Sequence, residues 1–276
     1  MKYGLALPYV DSAEVATFAC EAETCGWDGI YLGDAIWTVD PMISLTAAAM
    51  VTSKIRLGTM ITPAPLRTPW KIASEAGALD NLSGGRLTLG LGTGAVFMGW
   101  QAFPDYPTDV RARVEMLDET IDILTILFAG RQADYDGRHY HLKLSQLDPQ
   151  YYPRRPVQQP RVPLWCVGVW PRKKSMLRAL RCEGLLVAKM APDKTFADIT
   201  PADVSEISQF VRENRPAGQP FDIVVEGRTL GKSAQQITDE LIPWREAGAT
   251  WWIDGMWENS REEVLARIRQ GPPQGV

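Results

Sequence analysis

Histidine is nearly absent from this 276-residue chain, which has two, and cysteine is sparse at four. His139 and His141 form an H-x-H pair. With no third histidine, the pair reads as structural, and no metal site is expected. Cys20, Cys25, Cys166 and Cys182 fall into no C-x-x-C spacing, so neither a zinc ribbon nor a dithiol redox motif is written here. They read instead as free, buried thiols of a reducing compartment. No apolar run is long enough to cross a bilayer, and no basic stretch leads into an apolar one at the start, so the expected location is the cytoplasm. Charge of one sign is lacking too: 29 basic against 33 acidic residues leave a formal charge of -4. That balance gives no reason to expect nucleic acid or an anionic membrane as partner.

What the chain does have is apolar material, 45% of its residues, and ten tryptophans. This length can bury a large core, as one α/β domain or two smaller ones. The tryptophans serve core packing first, and sites for flat ligands second.

Apolar segments of strand length alternate with segments of helical period. Strands are expected at 2–8, 29–33, 55–60, 86–91, 163–168, 185–188, 221–226 and 250–253. Helix starts are marked by Asp11, Asp40, Thr68-Pro69, Thr200-Pro201, Ser233 with Gln236, and Ser260 with Glu263. Eight strands alternating with helices specify an α/β fold, and eight is the number that closes a (β/α)8 TIM barrel. A doubly wound open sheet would need an early glycine-rich dinucleotide turn, which is missing. The chain therefore reads as one domain over 1–276, with an insertion after strand four, about 95–160, expected over the barrel mouth. Within it, residues around Asp136-Gly137 read as a small hairpin.

The most informative stretch runs from Arg67 to Gly94. Ile72, Ala76 and Leu79 lay an apolar stripe on a helix that Gly84-Gly85 stops. A strand follows and runs out into Gly92-Thr93-Gly94, where glycines let a ligand lie against backbone. Barrel enzymes work at the carboxyl ends of their strands. Here those ends carry Asp34, Met60-Ile61-Thr62, Gly92 to Gly94, Gly168 to Lys174, Lys189-Met190, Glu226 to Arg228 and Asp254 to Trp257. The ring is rich in apolar groups and backbone and poor in acid–base groups, which suits a large flat cofactor better than hydrolysis. Asp34 and Glu226 are the acids placed for proton handling, and Glu226 could pair with Arg228. Gly168, Trp170, Arg172 and Lys173 follow strand five where a helix begins, a place that favours a phosphate. Trp37, Phe97, Trp100 and Phe103 suggest an apolar lid.

The stretch from Arg67 to Gly94 resembles the luciferase-like flavin oxidoreductases, through Arg67, Pro69, Leu79-Asp80, Leu82-Ser83, Gly85-Arg86 and the glycines at 90, 92 and 94. The resemblance covers nearly the whole chain and is sharpest from Gly58 to Gly94. It implies a flavin-dependent oxidoreductase, expected to be a monooxygenase using reduced FMN and oxygen on a small organic substrate. An 8-hydroxy-5-deazaflavin coenzyme, which performs hydride transfer without oxygen, is the alternative; a flavin-binding protein without turnover is another. The resemblance further implies a cis Met60–Ile61 peptide behind the flavin ring, the flavin phosphate at the strand-five loop, and a homodimer formed through outer helices. Some members of the family carry a histidine at the mouth; neither histidine here sits at a strand end.

Overall fold

Largely apolar runs of four to seven residues form eight parallel strands in the computed structural model, which describes residues 1–193, 195–216 and 218–273. The strands are β1 (Lys2–Leu7), β2 (Gly29–Leu32), β3 (Arg56–Thr59), β4 (Leu87–Gly92), β5 (Leu164–Trp170), β6 (Gly184–Met190), β7 (Asp222–Gly227) and β8 (Trp251–Gly255). Each pairs with the next, and β8 returns to lie beside β1, with Trp251 opposite Lys2. The sheet closes, as the count of eight requires. Two short strands, Thr62–Pro63 and Phe196–Ala197, extend it beside β4 and β6.

Helices α1 (Ser12–Thr24), α2 (Pro41–Val51), α3 (Pro69–Ser83), α4 (Val110–Phe128), α5 (Lys173–Ala179), α6 (Pro201–Asn214), α7 (Ala234–Ala247) and α8 (Arg261–Gln270) surround it. Asp11 caps α1 by accepting from the amides of Ala13 and Glu14, and capping boxes open α6, α7 and α8. Thr68 is the N-cap of α3, but its side chain makes no capping bond; Pro69 at the first helical position sets that start. Of the four thiols, Cys166 and Cys182 are buried, while Cys20 is exposed, because it lies on the solvent face of α1.

Inside the barrel, Tyr31 stacks on Trp165 at 5.1 Å, and Trp251 meets Trp165 edge-on at 5.3 Å. Ala6, Leu186, Val224 and Ile253 complete this inner layer. Glycines on neighbouring strands make room for it: a Cβ on Gly4 or Gly58 would come within 2.8 or 2.7 Å of the Tyr31 ring. Below this plug, Arg86 donates to the carbonyls of Ala49, Thr52, Ile55 and Ser83, tying the ends of α2 and α3 together.

Residues 93–163 do not lie as a whole over the mouth. α4 is the barrel's own fourth helix. It starts beside the end of β4, where Arg113 donates to the carbonyls of Thr93 and Gly94. After α4 the chain stays on the outside of the barrel. A hairpin of two-residue strands, Tyr135–Asp136 and His141–Leu142, rests on α4 because Glu119 accepts from the amides of Arg138, His139 and Tyr140. The next segment descends along α3 to the base. There Gln158 bonds Asp80 and the carbonyl of Leu87, at the start of β4. Only about 95–109 remains at the mouth end, since the buried polar anchors of the rest lie on outer helices.

Candidate active site

β3 and β4 build the central feature. Gly58 pairs with Thr88 and Thr62 with Leu91, so four steps along one strand match three along the other. One extra residue is accommodated between them, which makes a β-bulge, a device that re-aims side chains beside sites. The Met60–Ile61 peptide lies in this bulge and is cis. Both side chains are half-buried against the inner aromatic layer. Where the backbone ladder is interrupted, the Thr59 hydroxyl replaces it. It donates to the carbonyl of Gly90 and accepts from the amide of Gly90, each at 3.1 Å. Gly92 lies under Ile61, whose Cδ1 would be 2.5 Å from a Cβ at that position. The result is an apolar shelf of Met60, Ile61 and Gly92 at the carboxyl end of the barrel.

The loop after the shelf is held from behind. Trp100 is buried against Gly94, and the Arg113 guanidinium lies 5.6 Å from the Trp100 ring. Arg113 itself is buried, and desolvation pulls its pKa below the ordinary arginine value. Trp37 and Phe97 stand 85% and 83% exposed, so the outer aromatics project into solvent while Trp100 is floor.

The two strand-end acids differ in surroundings. Asp34 is buried, and Arg67 grips both its oxygens, at 2.8 and 3.3 Å. Arg67 also bonds Asp40 at 2.7 Å and Glu75 at 3.4 Å. Burial raises the Asp34 carboxyl despite its cation, and Asp40 adds to the rise. Glu226, at the end of β7, accepts from the indole of Trp257 and sits where a Cβ on Gly255 would reach 2.6 Å from its oxygen. Partial burial raises its carboxyl above the ordinary value, although the residue as a whole stays exposed at the rim. Arg228 makes no ion pair with it among the described residues; its charge only moderates the rise. Tyr9, after β1, hangs over Gly33, its phenol raised by burial and by Asp34.

On β5 the two-residue period decides which groups reach the interior. Val167 packs with the inner layer, whereas a Cβ on Gly168 would meet Leu185, Met176 and Ala179 outside the barrel. Trp170 faces outward, ring to ring with Phe210 of α6 at 6.0 Å. Gly168 and Trp170 thus offer the mouth backbone but no side chain, a difference from the sequence expectation. Arg172, the N-cap of the two-turn α5, and Lys173 are exposed with no ion pair among the described residues. His139 and His141 turn to separate carboxylates, Glu115 at 3.0 Å and Asp136 at 2.7 Å.

A profile of the luciferase-like monooxygenases matches residues 4–269. The chain belongs to this family. Among solved structures, the monooxygenase RslO1 of Streptomyces bottropensis superposes with a TM-score of 0.78 at 17% identity, over 98% of this chain and 97% of its own. A coenzyme F420 dependent tetrahydromethanopterin reductase of Methanopyrus kandleri gives 0.74 at 16%, covering 98% of each chain. The oxygenating constituent of the 3,6-diketocamphane monooxygenase of Pseudomonas putida, in complex with FMN, gives 0.63 at 18%, over 88% of this chain and 71% of its own. At these identities the likeness shows the fold, a closed eight-stranded barrel.

Within this luciferase-like barrel, Thr59 and Arg113 had no distinct signal in the sequence, and Arg67 had one that named no partner. Thr59 lies in an ordinary strand run. Arg113 is one basic residue in a helix that has two in its first turn. Arg67 belongs to the motif, but nothing in the motif says which acids it joins. The spacing of Asp34, Asp40 and Glu75 around it becomes meaningful only once β2 and α3 are side by side.

Proposed function

We propose that this luciferase-like enzyme is a flavin-dependent monooxygenase, using reduced FMN and oxygen on a small organic substrate at the barrel mouth. The observation that carries the reading is the apolar shelf of Met60, Ile61 and Gly92 at the β3–β4 bulge. It matches a flat ring in shape and polarity, with one half-open carboxylate, Glu226, across the mouth. A reduced flavin supplies the electrons and, with oxygen, the oxygenating chemistry. The chain's own residues do the rest. Met60 and Ile61 support the ring, and the backbone of Thr62, Thr93 and Gly94 borders it. Arg172 grips the phosphate with Lys173 beside it. Glu226, a strand-end carboxyl open at the mouth, is placed to exchange a proton there. Asp34 acts as a positioning residue by fixing Arg67. The apolar rim excludes water from the reacting centre.

Titration of the protein with reduced FMN and with reduced 8-hydroxy-5-deazaflavin, with oxygen uptake followed, tests the reading. Binding of FMN with substrate-stimulated oxygen uptake is expected. Binding of the deazaflavin alone, with hydride transfer and no oxygen uptake, would replace it. Placement of the cofactor is tested by Gly92→Val, whose added bulk meets Ile61. It should abolish FMN binding while circular dichroism stays native. Arg172→Ala should weaken FMN by about thirtyfold or more and leave riboflavin, which lacks the phosphate, unchanged. Equal weakening of both would place the phosphate elsewhere.

A further inference from the structure

On the outside of the barrel, between α3, α4 and the segment that follows the hairpin, lies a cleft of about 490 Å³. That volume is in the range of small-molecule sites. Its lining includes the aromatic residues Trp70, Tyr151 and Tyr152 and the basic residues Arg131, Arg154 and Arg155. None of the three arginines is ion-paired among the described residues, and nearby carboxylates are engaged elsewhere. Asp134 accepts from Ser145 at 2.8 Å, Asp148 from Gln150 at 2.9 Å, and Asp80 from Gln158 at 3.0 Å.

The cleft is held in shape. The Tyr152 hydroxyl donates to the carbonyl of Leu144 at 2.7 Å, and Asn81 on α3 donates to the carbonyl of Arg155 at 2.9 Å. Trp70 is fixed edge-on by Tyr140 at 6.0 Å yet keeps 44% of its surface open. Arg155 lays its guanidinium over Gly130, where a Cβ would fall 2.2 Å from Nε. Exposed rings backed by a rigid wall offer stacking. Unpaired guanidiniums beside them offer bidentate bonds to an anion and can themselves stack on a ring.

We infer that this cleft is a second binding site, for a planar aromatic ligand bearing a phosphate or carboxylate, separate from the barrel mouth. The rings take the flat part and the arginines its anionic group. The inference does not depend on which cofactor the mouth takes.

Isothermal titration with 1-naphthyl phosphate and 1-naphthoate tests it, with neutral 1-naphthol and inorganic phosphate as single-feature controls. Both anionic aromatics should bind, with the preferred one identifying the anion, and each control should bind at least about tenfold more weakly. Arg154→Ala with Arg155→Ala should lower the affinity of the anionic probes by roughly tenfold or more, the loss expected for one charge-assisted bond. Gly92→Val, at the mouth, should leave it unchanged. Tyr151→Ala, in an exposed ring, should weaken the probes without lowering the melting temperature, and it serves should the arginine variant fold poorly. Unchanged affinity in both cleft variants overturns the inference. So does a lower melting temperature with intact binding, which would make Arg155 only a cap for the end of α4. So does a concentration-dependent dimer broken by Trp70→Ala with no probe binding, which would make the cleft an interface.

Discussion

Asp34 and Glu226 are acids at the ends of barrel strands, and their neighbours give them different work. Asp34 has both oxygens on Arg67. Removing the cation leaves a buried carboxylate uncompensated, which costs about 3–5 kcal/mol. Arg67→Ala should therefore lower the melting temperature by roughly ten degrees, and adding Asp34→Asn should restore part of it; differential scanning calorimetry measures both. Glu226 is raised by burial from the ordinary 4.5. The folded protein thus holds this proton more tightly than the unfolded chain does. Its contribution to stability is greatest when the group is protonated, and it declines as pH rises from the ordinary value through the folded one. Glu226→Gln should consequently gain in melting temperature relative to the parent as pH rises from the ordinary value upward; a difference that does not change with pH would mean the carboxyl is not desolvated. Both acids were visible in the sequence, because strand ends could be counted. Their partners were not. Arg67 lies 33 positions from Asp34, and which of several acids it meets is settled only by the packing of α3 against α2.

At the scale of elements, strand and helix order was legible because most apolar runs are bounded by glycine or a cap, as at Gly84 after α3. The path of the insertion was not. Glu119 reads as one more polar position of α4, but its carboxylate collects three hairpin amides and fastens that segment to the outside of the barrel. Limited proteolysis separates the two parts. Cleavage between 95 and 109 should come first without cofactor and be slowed by FMN. Glu119→Ala should open a new cleavage site between 135 and 142 whose rate FMN does not change. Protection of that second site by FMN would instead put the hairpin at the mouth.

For the whole molecule, eight apolar runs gave the count that closes a barrel, and the aromatic plug of Tyr31, Trp165 and Trp251 is what fills it. The bulge could not be counted, because one added residue in a continuous apolar run leaves no mark. It gives the closed ring a joint. At every other seam neighbouring strands meet through an unslipped ladder; between β3 and β4 a threonine hydroxyl substitutes for a rung. Thr59→Val would leave the amide and carbonyl of Gly90 without those bonds, a loss of roughly 2–4 kcal/mol. Hydrogen exchange should then speed at Gly90 well before it does at β1 or β8. A hoop breathes where it is latched, and this latch adjoins the shelf. The ring is thus closed beside its shelf partly by a side chain, so one methyl-for-hydroxyl exchange reaches the closure of the whole barrel.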